Sequence, residues 1–162
     1  MIAGLIALLL VAPGAPLPWF AGWTADETVY NRTSLLAAPA EGHALVFFAT
    51  WCAPCGEGLA ALAKQRAALD AAKIRVVLVA CGEAPAQVKP WLAARGWGEA
   101  TVVYDRFGQV AADLGAAAGG RTLKLPWTVV VDPAGTVRAA LDGEASHDLA
   151  AWRAALKPAA AP

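Results

Sequence analysis

Two cysteines are separated by two residues in the sequence Trp51-Cys52-Ala53-Pro54-Cys55. This spacing lets the two sulfur atoms reach disulfide-bonding geometry. A thiolate attacks disulfides, and a second cysteine about one helical turn away can resolve the mixed disulfide that forms. The pair therefore predicts thiol–disulfide exchange, with Cys52 as the attacking cysteine and Cys55 as the resolving one.

The residues around the pair predict a buried strand that runs into a helix. Residues 45–49 form a continuous apolar run, which is typical of a strand buried on both faces. The apolar residues after the pair recur at helical spacing, namely Leu59, Leu62 and Leu69. Pro54 suits the first turn of a helix, where its missing N–H is not needed. The positive end of that helix's dipole would favour the thiolate of Cys52.

The composition indicates one folded domain. The chain has 162 residues, of which 58% are hydrophobic, and 13 Lys and Arg balance 13 Asp and Glu. The hydrophobic content excludes disorder, and the zero net charge gives no reason to expect nucleic acid as a partner. Three cysteines are too few for a disulfide-stapled scaffold and leave one unpaired within a monomer.

The rest of the chain alternates between strand and helix patterns. Predicted strands cover residues 74–81, 101–104, 128–131 and 136–141, with a short edge strand around residues 28–30. Predicted helices cover residues 85–95, 109–114 and 147–156, the last with Ser146 as its N-cap. The order predicts an α/β fold with a mixed central sheet and helices on both faces.

The first 25 residues contain no charged side chain. Residues 2–12 form an apolar run with the length of a signal-peptide core, and three prolines follow it. We expect residues 1–25 to be a signal peptide or membrane anchor and residues 26–158 to be the folded domain. No Lys or Arg precedes the run and no clear cleavage site follows it, so an apolar N-terminal arm is the alternative.

Two segments resemble the thioredoxin superfamily, and most of all its TlpA-like exported thiol–disulfide oxidoreductases. Residues 45–55 are similar to that family's strand and W-C-x-P-C motif, and residues 125–137 to its x-P-x-T segment, apolar strand and D-x-x-G turn. The resemblance covers about residues 42–156. It implies a thioredoxin-like fold in which Pro126 is a cis-proline that faces the cysteine pair.

The resemblance also implies function. It predicts a protein-disulfide reductase that exchanges electrons with exported proteins, such as apocytochromes in cytochrome c biogenesis, and receives them from a membrane-embedded donor. The expected location is the periplasm or cell envelope, the expected state is a monomer, and no organic cofactor or metal is implied. Substrate would contact Trp51, Ala53 and Pro54, and the backbone of Leu125 beside Pro126 would pair with an extended substrate segment.

Three positions depart from the family's pattern. Val46 stands where many thioredoxin-like proteins carry a buried acid or an Asn, and a carboxylate there could take the proton from Cys55. Glu57 and Glu83 are the candidates to replace it. Relatives in the exported branch also often carry Glu and Pro where this chain has Gly58 and Ala60.

Two other classes of function remain open at this point. The pair could be an inert disulfide in a binding or chaperone module, or it could bind copper or zinc in a metal carrier, with Cys81 or a histidine as a further ligand. Cys81 ends the second buried strand, either as an additional reactive thiol or as a small buried apolar residue. Both histidines are expected at the surface. Trp127 could line a binding groove, whereas Trp91, Trp97 and Trp152 are expected to pack in the core or on a helix face.

Overall fold

The computed structural model describes residues 11–118 and 122–158. Within them the strands are β1 (Ala21–Trp23), β2 (Val29–Asn31), β3 (Gly42–Phe48), β4 (Ile74–Cys81), β5 (Thr101–Asp105), β6 (Ala117–Ala118), β7 (Thr122–Leu123), β8 (Trp127–Val131) and β9 (Val137–Asp142). The helices are α1 (Arg32–Ala37), α2 (Ala53–Ala63), α3 (Arg66–Ala71), α4 (Pro85–Ala93), α5 (Gln109–Asp113) and α6 (Leu149–Leu156), with a 3₁₀ segment at Gly143–His147.

Seven of these strands form one mixed sheet in the order β2-β1-β5-β4-β3-β8-β9. The central strands β3, β4 and β5 are parallel, whereas β1, β2, β8 and β9 join antiparallel. The short strands β6 and β7 pair with each other outside this sheet. Because parallel strands end at the same edge of a sheet, the residues that follow β3 and β4 come together there.

The central strands are buried on both faces, so each strand contributes to two cores. Val46 and Phe48 of β3 point to the first face, where they pack with Leu59 of α2, Leu92 of α4 and Trp152 of α6. All five are at most 2% exposed. The alternate residues of the same strands point to the second face, where α1 and α5 pack. The predicted mixed sheet with helices on both faces is confirmed.

The N-terminal segment completes the second face. Leu17 and Phe20 are 1% and 0% exposed and pack under β3 and β4. The backbone N–H of Leu17 donates to the carbonyl of Gly135 at 2.8 Å, next to the edge strand β9. This segment therefore supplies side chains to the second core, and the expected division at residues 25 and 26 stays a prediction.

Residues 1–10 of the expected signal or anchor lie outside the described residues, so that assignment stays a prediction. In the stretches 11–118 and 122–158, none of the helices combines the length and the apolar character needed to cross a bilayer.

The end of the chain differs in one detail from expectation. The helix expected over residues 147–156 begins at Leu149, and its N-cap is Asp148, whose carboxylate accepts from the N–H of Ala150 at 2.8 Å. Ser146 is not the cap, because its hydroxyl donates to the carbonyl of Leu141 at 2.9 Å. The 3₁₀ segment therefore takes the place of the first predicted turn.

The N-terminal segment yields a stability prediction. Phe20→Ala should lower the free energy of unfolding by about 3–5 kcal/mol, because it removes a fully buried ring. The neighbouring change Trp19→Ala is the control, since Trp19 is 60% exposed and its loss should cost about 0.5 kcal/mol or less. Urea unfolding followed by circular dichroism measures both. Equal effects of the two changes would contradict the packing described here.

Candidate active site

The cysteine pair lies at the junction between β3 and α2. Cys52 is the N-cap of α2, and its sulfur accepts from the backbone N–H of Cys55 at 3.3 Å. The two residues form a disulfide with their Cα atoms 5.3 Å apart. Pro54 occupies the first turn of the helix, as expected. The sulfur lies at the positive end of α2 because β3 ends four residues before Cys52 and the helix begins directly after it.

The two sulfurs differ in access to solvent. Both cysteines pack in the first core, but Cys52 is 5% exposed, whereas Cys55 is 0% exposed. Trp51, Ala53 and Pro54 are exposed around Cys52, and the Trp51 side chain is 66% exposed. A disulfide partner that approaches along this surface reaches Cys52 and not Cys55. The roles of attacking and resolving cysteine stay a prediction, and this difference in exposure is the observation on which they depend.

Leu125 and Pro126 lie at the same edge of the sheet as the pair. The Leu125–Pro126 peptide bond is cis, as expected. Trp127, the first residue of β8, pairs with Phe47 near the end of β3. Leu125 is half-buried and packs against the core cluster that contains both cysteines. The tertiary structure thus brings together the two segments on which the sequence resemblance depends.

Glu83 positions the loop that precedes Cys52. One carboxylate oxygen accepts from the backbone N–H of Thr50 at 2.7 Å, and the other accepts from the Thr50 hydroxyl. The carboxylate is therefore engaged with the loop before the attacking cysteine. Glu57 is exposed on α2, and Val46 is fully buried among apolar side chains. The role of Thr50 has no signal in the sequence pattern, since 33 residues separate it from Glu83.

A groove of about 510 Å³ opens beside Cys52. Gly56 of α2 lines one side, and Trp91 and Arg95 line the other. Trp91 stacks on Phe48 with 5.4 Å between ring centroids, and the guanidinium of Arg95 lies 3.9 Å from the Trp91 ring centroid. A side chain at position 56 would press on both of these residues. The groove gives the attacking sulfur a wall with an aromatic ring, the guanidinium of Arg95 and the carboxylate of Glu57.

The other tryptophans mostly confirm the expected packing. Trp97 and Trp152 are buried, at 2% and 0% exposed, and the indole N–H of each donates to a backbone carbonyl. Trp127 is half-buried, and its Nε1 donates to the carbonyl of Leu114 at 2.9 Å. Trp127 therefore ties the start of β8 to the end of α5.

Cys81 is free and 5% exposed. Burial, together with the nearby charge of Asp105, raises the pKa of its thiol to about 12. Its S–H donates to the carbonyl of Val79 at 3.8 Å. A thiol in this state is a poor nucleophile, which agrees with the interpretation of Cys81 as a buried apolar residue.

Both histidines, expected at the surface, are buried. His43 in β3 is 1% exposed, and burial followed by the charge of Arg75 lowers its pKa. His147 ends the 3₁₀ segment, is 9% exposed, and has a pKa lowered to about 4 by burial. His43 is buried because all of β3 is covered by the packed sheet and helices. His147 is buried because the 3₁₀ segment packs against α2 and β8. The local sequence does not reveal these long-range contacts.

Among the described residues, no group of three or more His, Cys, Asp or Glu side chains gathers around one point.

Comparison with known proteins agrees with the geometry. The profile of the AhpC/TSA family matches residues 13–140. The chain belongs to the AhpC/TSA family. A search of curated proteins finds no match.

Solved structures extend this result. A candidate thiol:disulfide interchange protein DsbE from Chlorobium tepidum is 23% identical, with a TM-score of 0.70 over 90% of this chain and 99% of that one. A thioredoxin family thiol:disulfide interchange protein from Chlorobium tepidum TLS is 26% identical, with a TM-score of 0.66 over 90% and 99%. A secreted Mycobacterium tuberculosis disulfide oxidoreductase homologous to Escherichia coli DsbE is 19% identical, with a TM-score of 0.63 over 84% and 94%. The chain has a thioredoxin-like fold with the close cysteine pair of a thiol–disulfide oxidoreductase.

The burial of His147 makes stability depend on pH. Its folded pKa of about 4 lies below the ordinary value of 6.5, so between these values only the unfolded chain binds the proton. The free energy of unfolding should therefore fall as the pH drops through this window, with His147 accounting for about 3 kcal/mol. Urea titrations of the oxidised protein across the window measure this loss.

His147→Asn should remove this part of the pH dependence. The pKa of His43 is lowered in both the wild type and the variant. The difference between their pH dependences of stability therefore reports His147 alone. Identical pH dependence in wild type and variant would contradict a buried neutral imidazole.

Proposed function

We propose that the protein is an exported protein-disulfide reductase that works through Cys52 and Cys55. The observation that carries the proposal is the disulfide at the N-terminus of α2, with one sulfur at the surface edge and the other enclosed in the core. In the reduced protein, the helix dipole and the free N–H groups of the first turn favour a thiolate at Cys52.

The exchange balances in two steps. The Cys52 thiolate attacks one sulfur of a substrate disulfide, the substrate S–S bond breaks, and the other substrate sulfur leaves as a thiolate. Cys55 then loses its proton and attacks the Cys52 sulfur, which forms the Cys52–Cys55 disulfide and releases the second substrate sulfur. The substrate gains two electrons and the protein loses two.

Substrate binding is proposed for the surface around Cys52. Trp51 offers an exposed apolar ring beside the sulfur, and Ala53 and Pro54 form the adjoining exposed turn. The cis bond before Pro126 lies at the same sheet edge, where the Leu125 backbone would pair with an extended substrate segment. Binding through backbone pairing suits a protein that acts on unfolded or extended partners.

The proposed location is the periplasm or cell envelope, with the protein acting as a monomer. The uncharged N-terminal stretch and the name of the secreted Mycobacterium tuberculosis oxidoreductase support export. The proposed substrates are disulfides of exported proteins such as apocytochromes in cytochrome c biogenesis. A membrane-embedded donor would return the protein to its reduced form, because an oxidising compartment supplies no reductant of its own.

Cysteine variants test the exchange chemistry. Cys52→Ser should reduce the turnover of a model protein disulfide to the uncatalysed rate, whereas Cys55→Ser should accumulate a covalent adduct with the substrate that mass spectrometry detects. Cys81→Ser is the matched control and should keep wild-type turnover, because that thiol is buried. Full activity of Cys52→Ser would refute the assignment of roles. Absence of turnover in the wild type would favour the inert disulfide or the metal carrier, and a copper or zinc titration of the free thiols separates these two.

The direction of transfer is tested by equilibrium with glutathione buffers. A reductase should show a midpoint near that of thioredoxin, at about −270 mV, rather than near the strong periplasmic oxidants at about −120 mV. The measurement uses the Cys81→Ser variant, so that every free thiol that is trapped belongs to Cys52 or Cys55. A midpoint close to the oxidants would reverse the proposed direction.

A further inference from the structure

His147 is a buried titratable side chain that the exchange steps above do not use. It is 9% exposed, and its Nε2 atom has no hydrogen-bond partner among the described residues. Buried polar atoms without a partner are uncommon in folded proteins, and one explanation is a catalytic role. Its surroundings indicate which role is available.

The imidazole covers Gly58 on the cysteine-bearing helix. A Cβ atom at position 58 would collide with Nδ1 and would lie 2.6 Å from Cγ of the same ring. The ring thus fills the space of a side chain at position 58. Gly58 stands three residues after Cys55, and residues at this spacing on a helix are neighbours, with Cβ atoms about 5–6 Å apart. The imidazole therefore covers a position of α2 that lies about one helical turn after the resolving cysteine.

Hydrogen bonds hold the 3₁₀ segment in this position. The carbonyl of Ser146 accepts from the Thr128 hydroxyl at 2.8 Å and from Trp152 Nε1 at 3.1 Å. The N–H of Gly143 donates to the carbonyl of Pro126 at 3.2 Å. The segment that carries His147 is thus attached to the cis-proline strand on one side and packed against α2 on the other.

The charged groups around the 3₁₀ segment do not compete for the imidazole. The segment packs against α2, β8 and β9, and β8 carries no ionisable side chain. Glu57 of α2 and Asp142 of β9 are exposed, and Arg138 of β9 donates to the carbonyls of Ala155 and Lys157. Glu144, in the 3₁₀ segment, and Asp148, next to it, are also exposed. No charged group contributes to the lowered pKa of His147, which burial alone produces.

We propose that His147 takes the proton from Cys55 when the mixed disulfide is resolved, a role that rests on the proposed function. The S–H bond of Cys55 breaks and its proton moves to the imidazole. The Cys55 sulfur then attacks Cys52, the Cys52–Cys55 bond forms, and the bond between Cys52 and the substrate breaks. The substrate sulfur leaves with the electron pair and takes the proton from the imidazolium.

The other candidates for this proton are less suited. Val46 has no group that accepts a proton, and the Glu83 carboxylate is engaged with Thr50. His147 is neutral at neutral pH, so its imidazole has a nitrogen lone pair that can accept a proton. Burial lowers its pKa, so the proton transfer needs a negative charge nearby to stabilise the imidazolium. Formation of a thiolate at Cys55 would favour the charged imidazolium beside it, since opposite charges at close range stabilise each other.

Stopped-flow reaction of the reduced protein with one equivalent of 5,5′-dithiobis(2-nitrobenzoate) separates the two steps. All proteins carry Cys81→Ser, so that only the pair reacts. The first released thiolate reports attack by Cys52, and the second reports resolution by Cys55. His147→Phe and His147→Asn should slow the second phase by about 10²-fold at pH 6, with a deficit that shrinks towards pH 9 as Cys55 ionises unaided. The first phase should change little.

A second pair of variants separates proton transfer from packing. Removal of the ring in His147→Ala opens the space over Gly58, so the double variant His147→Ala/Gly58→Glu places a carboxylate there. At pH 6 its second phase should be at least tenfold faster than that of His147→Ala. The double variant His147→Ala/Gly58→Gln fills the same space without a proton acceptor and should show no such increase in rate.

Equal rescue by Glu and Gln would overturn the proposal, and so would a wild-type pH profile in the folded His147 variants. Failure of the proposed function is a distinct result, because the wild type would then react with this reagent and still not turn over a model protein disulfide.

Discussion

The structure depends on the connection between a fully buried strand, β3, and the first turn of the helix α2. All seven residues of β3 are buried, and the strand is hydrogen-bonded to β4 on one side and to β8 on the other. Four residues beyond its end, the Cys52 sulfur caps α2. The helix dipole acts on a sulfur only if that sulfur stays at the helix end. The burial and pairing of β3 therefore keep the Cys52 sulfur at the end of α2, where the helix dipole favours its thiolate.

The remaining parts of the site approach this junction from separate elements. Glu83 follows β4 and holds Thr50, the residue that precedes Trp51. The cis-proline precedes β8, and the 3₁₀ segment after β9 is bonded to it through Gly143. These segments meet because the carboxyl ends of parallel strands and the start of an antiparallel neighbour share one sheet edge. The chemistry of the two sulfurs is thus supported by segments that adjoin four strands, β3, β4, β8 and β9.

Features of this protein with a strong local sequence pattern are the ones that the sequence predicts. Residues 74–81 were predicted as a strand and form β4 with the same bounds, because a continuous β-branched run excludes an amphipathic helix. The cis bond at Pro126 came from resemblance to a known family and not from periodicity. His43 and His147 were misplaced because burial of a polar side chain depends on which distant elements cover it. For the same reason, no local pattern indicates that Leu17 and Phe20 contribute side chains to the second core.

The sequence by itself determined the strand, the cysteine spacing and the helix start, since each depends on contacts between residues near one another in the chain. Tertiary structure alone decided that Cys52 remains accessible while Cys55 is enclosed, that Glu83 reaches Thr50, and that an imidazole covers Gly58. These features depend on how a sheet brings the ends of separate strands together. No local pattern encodes such contacts, because the residues that make them are tens of positions apart and meet only when both cores are packed.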